Sequence, residues 1–286
     1  MLDTRLILVD GDTVADRTGL TQQIAVQLGA EGVAHALWHA HGRGHPLRRP
    51  WDPTTYPDAM QYMDTLALQW QNFALRAATE PAVGLFDAGL GDAPAALVEA
   101  GAATVDEAAE FAARLLDAVE PVAPSLLYLW HETPVNPRRQ QVLDAIFARL
   151  PQHRALLNAS RSTPAERVDD ALAFLGLQRR EVALAPDLTT RLAGRYASLP
   201  DSDAVALRIT LDKHELATSG LAISGLDDLD ALRPLLPTVD GRLLVSGRDL
   251  ALHPHLDRSG IVIGLLLETT DPTLDALPEF LPRSHD

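Results

Sequence analysis

Leu6-Ile7-Leu8-Val9-Asp10-Gly11-Asp12-Thr13-Val14-Ala15-Asp16-Arg17-Thr18-Gly19-Leu20 is the stretch on which the fold turns. Four consecutive apolar residues, Leu6 to Val9, read as a strand buried on both faces, the pattern of a parallel sheet covered by helices. Asp10-Gly11-Asp12-Thr13 is turn chemistry. From about Gly19 the apolar period becomes helical, with Leu20, Ile24 and Leu28 on one face. Strand, tight turn and helix open a doubly wound α/β domain, and ligands sit at such turns.

Gly11 to Thr18 keeps the frame of the phosphate-binding pattern G-x-x-x-x-G-K-[ST], whose glycines let backbone N–H groups wrap phosphates while the Lys neutralises them. The second glycine is Asp16 and the lysine is Arg17. Arg keeps the charge but is a planar fork rather than a compact point charge. Asp12 and Asp16 would each repel a phosphate by about 1–4 kcal/mol at a roughly 4 Å separation. The only lysine, Lys213, lies far from this turn.

The wider chain resembles P-loop nucleotide kinase-like proteins of the thymidylate-kinase-like group. The resemblance rests on Trp38-His39-Ala40-His41 leading to His45-Pro46-Leu47, on Leu68 to Phe73, on the strand Val83 to Asp87, and on Pro124 to Leu129. Leu192-Ala193-Gly194-Arg195-Tyr196 is similar to the start of a small β module that such proteins can carry. The resemblance implies a P-loop kinase-like doubly wound parallel sheet with a second, smaller antiparallel β domain. It implies that ATP or another nucleotide and Mg²⁺ are the ligands to test, held at Gly11, Asp16, Arg17, Thr18, Arg138 and Arg139. Asp87 and the Thr18 hydroxyl stand where Mg²⁺ would be held, and Asp10, Asp12 and Asp87 are the candidate catalytic residues.

Each candidate also has a plainer reading. Asp87 closes a strand and could simply cap the next turn. Arg138 and Arg139 follow Pro137 and could form a solvated first helical turn. His35, His39, His41 and His45 crowd one stretch, and His39 and His41 share a strand face, but neither HExxH nor thiol spacing accompanies them. Trp70 and Phe73 are expected in the core. A rival template is the D-x-D-x-[TV] motif of haloacid-dehalogenase-type phosphatases, matched by Asp10-Gly11-Asp12-Thr13-Val14. There the first Asp attacks phosphorus and the second protonates the leaving group, and Gly91-Asp92 stands in for a later acidic motif.

Composition narrows the classes. The 286 residues are 47% hydrophobic and 22% charged, an ordinary globular balance. A net charge of −15 repels DNA, RNA and anionic lipid, leaving Arg43, Arg48 and Arg49 as the local basic cluster. Cysteine is absent, which excludes disulfides and thiolate chemistry and suits a reducing compartment. No apolar run approaches the roughly 20 residues that span a bilayer, and the N-terminus leads directly into the first strand. A cytoplasmic protein that meets neither nucleic acid nor membrane is the expectation.

Along the chain, strands are expected at about 33–41, 82–86 and 125–130. Helices are expected at about 57–78, 93–99, 105–119, from Pro137, and at 164–174. Thr104 with Glu107 forms a capping box. Residues 1–186 are assigned to the α/β domain and 187–286 to the β domain with a C-terminal tail. Short strands are expected at 204–210, 215–219, 242–246, 249–253 and 261–267, in a sandwich or half-barrel. The tail from Glu268 is expected to be poorly ordered or strapped to the surface. The implied function is binding of a nucleotide or another phosphorylated small molecule, with phosphotransferase ancestry and impaired catalysis. The alternatives are a non-catalytic scaffold, meeting a protein partner or a second copy through the β domain, and the two-aspartate phosphatase.

Overall fold

A computed structural model describes residues 2–40, 51–150, 154–197, 206–211, 221–224, 232–270 and 279–284. The first half is built as β1 (Leu6–Gly11), α1 (Val14–Ala30), β2 (His35–Trp38), α2 (Ala59–Ala77), β3 (Val83–Phe86), α3 (Asp92–Glu99), α4 (Val105–Val119), β4 (Ser125–Trp130), α5 (Pro137–Arg149), β5 (Arg154–Asn158) and α6 (Pro164–Phe174). The five strands are parallel in the order β2-β3-β1-β4-β5. Leu8 sits between Phe86 and Leu126 in register.

Successive strand residues face opposite sides, so the apolar run of β1 serves two cores. Leu6 and Leu8, with Phe86, Leu126 and Tyr128, pack under α2 to α5. Ile7 and Val9, with Leu85, Leu127 and Leu129, pack under α1 and α6. Trp70 and Phe73 lie in the first core, as does Tyr62. The helix starts follow the capping chemistry. Both Thr104/Glu107 and Thr163/Glu166 form reciprocal capping boxes, and the Asp58 and Asn136 side chains accept N–H groups of their first turns.

The second half begins with α7 (Pro186–Leu192). It continues as β6 (Gly194–Ala197), β7 (Ala206–Leu211), β8 (Leu221–Ser224), β9 (Arg233–Pro237), β10 (Leu243–Val245), β11 (Leu250–Leu256), β12 (Val262–Thr269) and β13 (Glu279–Pro282). These eight strands form one antiparallel meander in which each neighbours the next. The sheet curls until its ends meet: the Ser284 N–H donates to the Arg195 carbonyl at 2.8 Å, and Tyr196 and Arg283 form a bridge. The result is a near-barrel rather than a sandwich, filled by Tyr196, Ile209, Ile223, Leu252, Leu265 and their neighbours. Arg283 fastens α7 to one end, its guanidinium donating to the Arg191 and Ala193 carbonyls at 2.8 and 2.7 Å.

The tail differs from expectation. Glu279–Pro282 is a strand, because Leu281 buries its side chain in the barrel and pairs with Leu265. Three further strands, β6, β8 and β9, were not among those expected; β6 and β8 are short, and β9 carries Pro234 and Pro237. The strand expected at 215–219, Lys213, His41, His45 and the arginines 43, 48 and 49 lie outside the described residues.

The barrel sits against α1. Gln22 is fully buried and spends its whole amide on the β10–β11 turn, donating to the Val245 and Arg248 carbonyls at 3.0 and 2.6 Å and accepting the Gly247 N–H at 2.8 Å. Val26 packs with Leu236, Leu244 and Ala251. Gln22→Ala would remove three hydrogen bonds to the turn backbone and is expected to cost about 1–3 kcal/mol. Urea denaturation reads this directly, and an unchanged midpoint would show that Gln22 does not hold the two sheets together.

Candidate functional site

The carboxyl ends of β1, β3 and β4 meet the first turns of α1, α3 and α5, which is where ligands bind in open parallel sheets. β1 and α1 are joined by only Asp12 and Thr13. Residues 14–16, which a phosphate loop would leave outside the helix with their N–H groups turned inward, are here the first turn of α1. Asp16 folds back on that turn and accepts the Thr13 hydroxyl at 2.5 Å. Its carboxylate also lies 3.6 Å from His131 Nε2 and 3.8 Å from Arg167.

Arg17 points inward. It is 2% exposed, and its guanidinium meets the Asp92 carboxylate at 2.6 Å, a carboxylate it shares with Arg139. Burial lowers the Arg17 pKa, and the charges of Asp10, Asp87 and Asp12 oppose that. Arg139 is held down to about 10, by burial first and by the Arg17 charge next. Asp10 is fully buried and accepts the Gly89 and Gly91 N–H groups at 3.2 and 3.3 Å. Burial pushes its pKa up, against the pull of Arg17, Arg139 and the two N–H groups. A Cβ at Gly89 would enter the Asp10 carboxylate, so the glycine is required for this approach.

The second carboxylate centre is Asp87, with no exposed surface. It accepts the Thr18 hydroxyl at 2.5 Å, the His39 ring Nδ1 at 2.8 Å and the Ala40 N–H. Burial is the largest influence on its pKa and raises it, but His39 and the other donors outweigh it and leave the carboxyl below its ordinary value. Asp12 has a third role, accepting the Val135 and Asn136 N–H groups and so pinning the segment before α5 to the end of β1.

The structure therefore brings Asp10, Asp12, Gly11, Asp16, Arg17, Thr18, Asp87 and Arg139 to one sheet edge. Arg138 is exposed on the first turn of α5. Sequence reasoning missed Asp92 as the shared partner of two arginines, and His39 as the partner of Asp87. Two signals were present, the paired glycines at 89 and 91 and a histidine closing β2 beside β3.

ATP–Mg²⁺ does not fit the site in this arrangement. The connection is too short to wrap phosphates, the cation at the lysine position is committed to Asp92, and Asp87 is committed to three internal donors. Among the described residues no group of three or more His, Asp or Glu side chains is placed to hold a metal ion, and no helix is long and apolar enough to cross a membrane. The chain matches no protein-family model and no curated protein.

Proposed function

We propose that the chain is a P-loop kinase-like protein whose phosphate site has closed on itself, so that it no longer transfers phosphate. Support for the ancestry comes from the hydrogen bond between Thr18, in the second turn of α1, and Asp87, directly after β3, the two positions that would share Mg²⁺ in such a kinase. The loss of activity is carried by one observation: Arg17 is buried in an ion pair with Asp92 instead of facing a ligand. A nucleotide or other phosphorylated small molecule is then the ancestral ligand class, and the present role is non-catalytic. Such a role shifts attention to the β domain, where Leu256, Ile261 and Ile263 are 42%, 54% and 41% exposed and could meet a protein partner or a second copy.

The two-aspartate phosphatase draws no support from the geometry. Its nucleophile would be Asp10, which is 1% exposed, held by two backbone N–H groups, and shifted toward its protonated form. Its acid would be Asp12, which instead binds the amides before α5.

Calorimetry tests the proposal. The unmodified protein is expected to bind ATP–Mg²⁺ only at millimolar concentration or more weakly, from repulsion by Asp12 and Asp16 and the missing wrap of N–H groups. Asp16→Gly with Arg17→Lys is expected to recover about 1–3 kcal/mol of binding. Tight binding by the unmodified protein would refute the closed site. Phosphomonoester hydrolysis that vanishes in Asp10→Asn would instead revive the phosphatase.

A further inference from the structure

Asp92 Oδ1 is the meeting point of two buried cations. Arg17, in the first turn of α1, donates Nη1 to it at 2.6 Å, and Arg139, in the first turn of α5, donates Nη2 to the same atom. The Asp92 side chain is 26% exposed, against 3% for Arg17 and 14% for Arg139, so solvent reaches the acid more than either cation. A guanidinium holds a carboxylate best through two parallel N–H···O bonds, one to each oxygen. Here both cations converge on one oxygen, and neither makes that paired contact. Arg17 Nε is buried and has no hydrogen-bond partner. A buried donor of this kind costs free energy until a water or a ligand reaches it.

We propose that Arg17 and Arg139 form a binding site for a small-molecule carboxylate, and that Asp92 is the internal carboxylate the ligand displaces. The two arginines already hold a group of that chemistry, incompletely, so the site's sign of charge and geometry suit a carboxylate. Asp92 also has a second resting place. It is the first residue of α3, where the helix N-terminus favours a negative charge, so rotation of its side chain toward solvent keeps it in a favourable field. The exchange conserves charge, one monoanion for another. A phosphate dianion would add a negative charge beside Asp10, Asp12 and Asp87, whose charges all reach Arg17. A neutral ligand would leave both guanidiniums without the acid they now share. The site rests on the closed-site reading for the Arg17–Asp92 contact and is independent of kinase ancestry.

Acetate is the probe, with acetamide as its uncharged isostere and inorganic phosphate as the dianion. Each is followed by ligand-observed NMR on the full chain at constant ionic strength. Asp92→Asn and Asp92→Ala both free the arginines, and each variant is expected to bind acetate at roughly millimolar concentration. The unmodified protein, where Asp92 competes, should bind acetate about tenfold more weakly. Adding Arg139→Gln to either Asp92 variant should lower acetate affinity by about tenfold, the worth of one charge-assisted hydrogen bond. Both partners of the contact are then gone, which a fold tolerates better than the loss of one, and the circular dichroism spectrum should be unchanged. Acetamide should not bind. Acetate binding no tighter in the Asp92 variants, equal binding of acetamide, or phosphate binding more tightly than acetate would overturn the assignment. No acetate binding by the unmodified protein at about 100 mM would make Asp92 a fixed structural partner and overturn the displacement. These outcomes are separable from the closed-site reading, which fails on tight ATP–Mg²⁺ binding by the unmodified protein.

Discussion

Arg17→Met is expected to destabilise the protein by about 3–5 kcal/mol, the range for removing one partner from a buried ion network. Arg139 stays on Asp92, so the group left exposed to the loss is Asp10, whose ionised form depends on Arg17 more than on any other charge. The pH dependence has a definite sign. The folded pKa of Asp10 already lies above its ordinary 3.8, so its ionisation opposes folding above that value. Without Arg17 the folded pKa rises further and the penalty grows. The destabilisation should therefore be largest near neutral pH and shrink as the pH falls toward 4, where Asp10 is protonated in the folded protein. Asp10→Asn in the same chain should recover part of the loss, with a coupling of about 0.5–3 kcal/mol. Denaturant titrations of the four proteins at pH 7.5 and pH 5 decide the matter. A loss below about 1 kcal/mol, equal at both pH values, would mean that Arg17 does not neutralise Asp10.

The parallel half was legible because its signals are local. Leu6–Val9, Ser125–Trp130 and the Thr104–Glu107 capping box each announce an element within a few residues, and the observed bounds agree within one or two positions. β5 was not legible: it is an edge strand, Arg154 is exposed, and Leu156 is 65% exposed, so no alternation marks it. The closure of the barrel was hidden for a different reason. It depends on Arg283 and Ser284 meeting Arg191 to Arg195, about ninety residues away, and no local pattern encodes such a contact. At the site, the phosphate-loop frame was visible in the spacing of Gly11, Arg17 and Thr18, but spacing does not reveal where α1 begins. Three further residues, 14–16, join the helix, and that choice turns Arg17 inward. Arg138 and Arg139 are indistinguishable in sequence, yet helix geometry sends only the second toward Asp92.

Phe86→Ala should be as costly as the loss of Arg17, for reasons of packing instead of charge. Phe86 is fully buried beside Asp87 in the chain. Its ring stacks on Trp38 at 4.8 Å and meets Phe73 edge-on at 5.3 Å, with Trp70 at 6.3 Å. Truncation would leave a cavity among aromatic rings held by the sheet, costing about 3–5 kcal/mol. Phe86→Leu keeps most of the volume and should cost under about 1.5 kcal/mol. The same substitution reports on the site. Trp38 and Phe86 immediately precede His39 and Asp87, and their stacked rings hold the ends of β2 and β3 together. With the ring removed, the His39–Asp87 hydrogen bond loses its support and tryptophan emission should shift to longer wavelength. If Phe86→Ala were no more destabilising than Phe86→Leu, and the emission unchanged, this aromatic cluster would not be what keeps Asp87 beside Thr18 and His39.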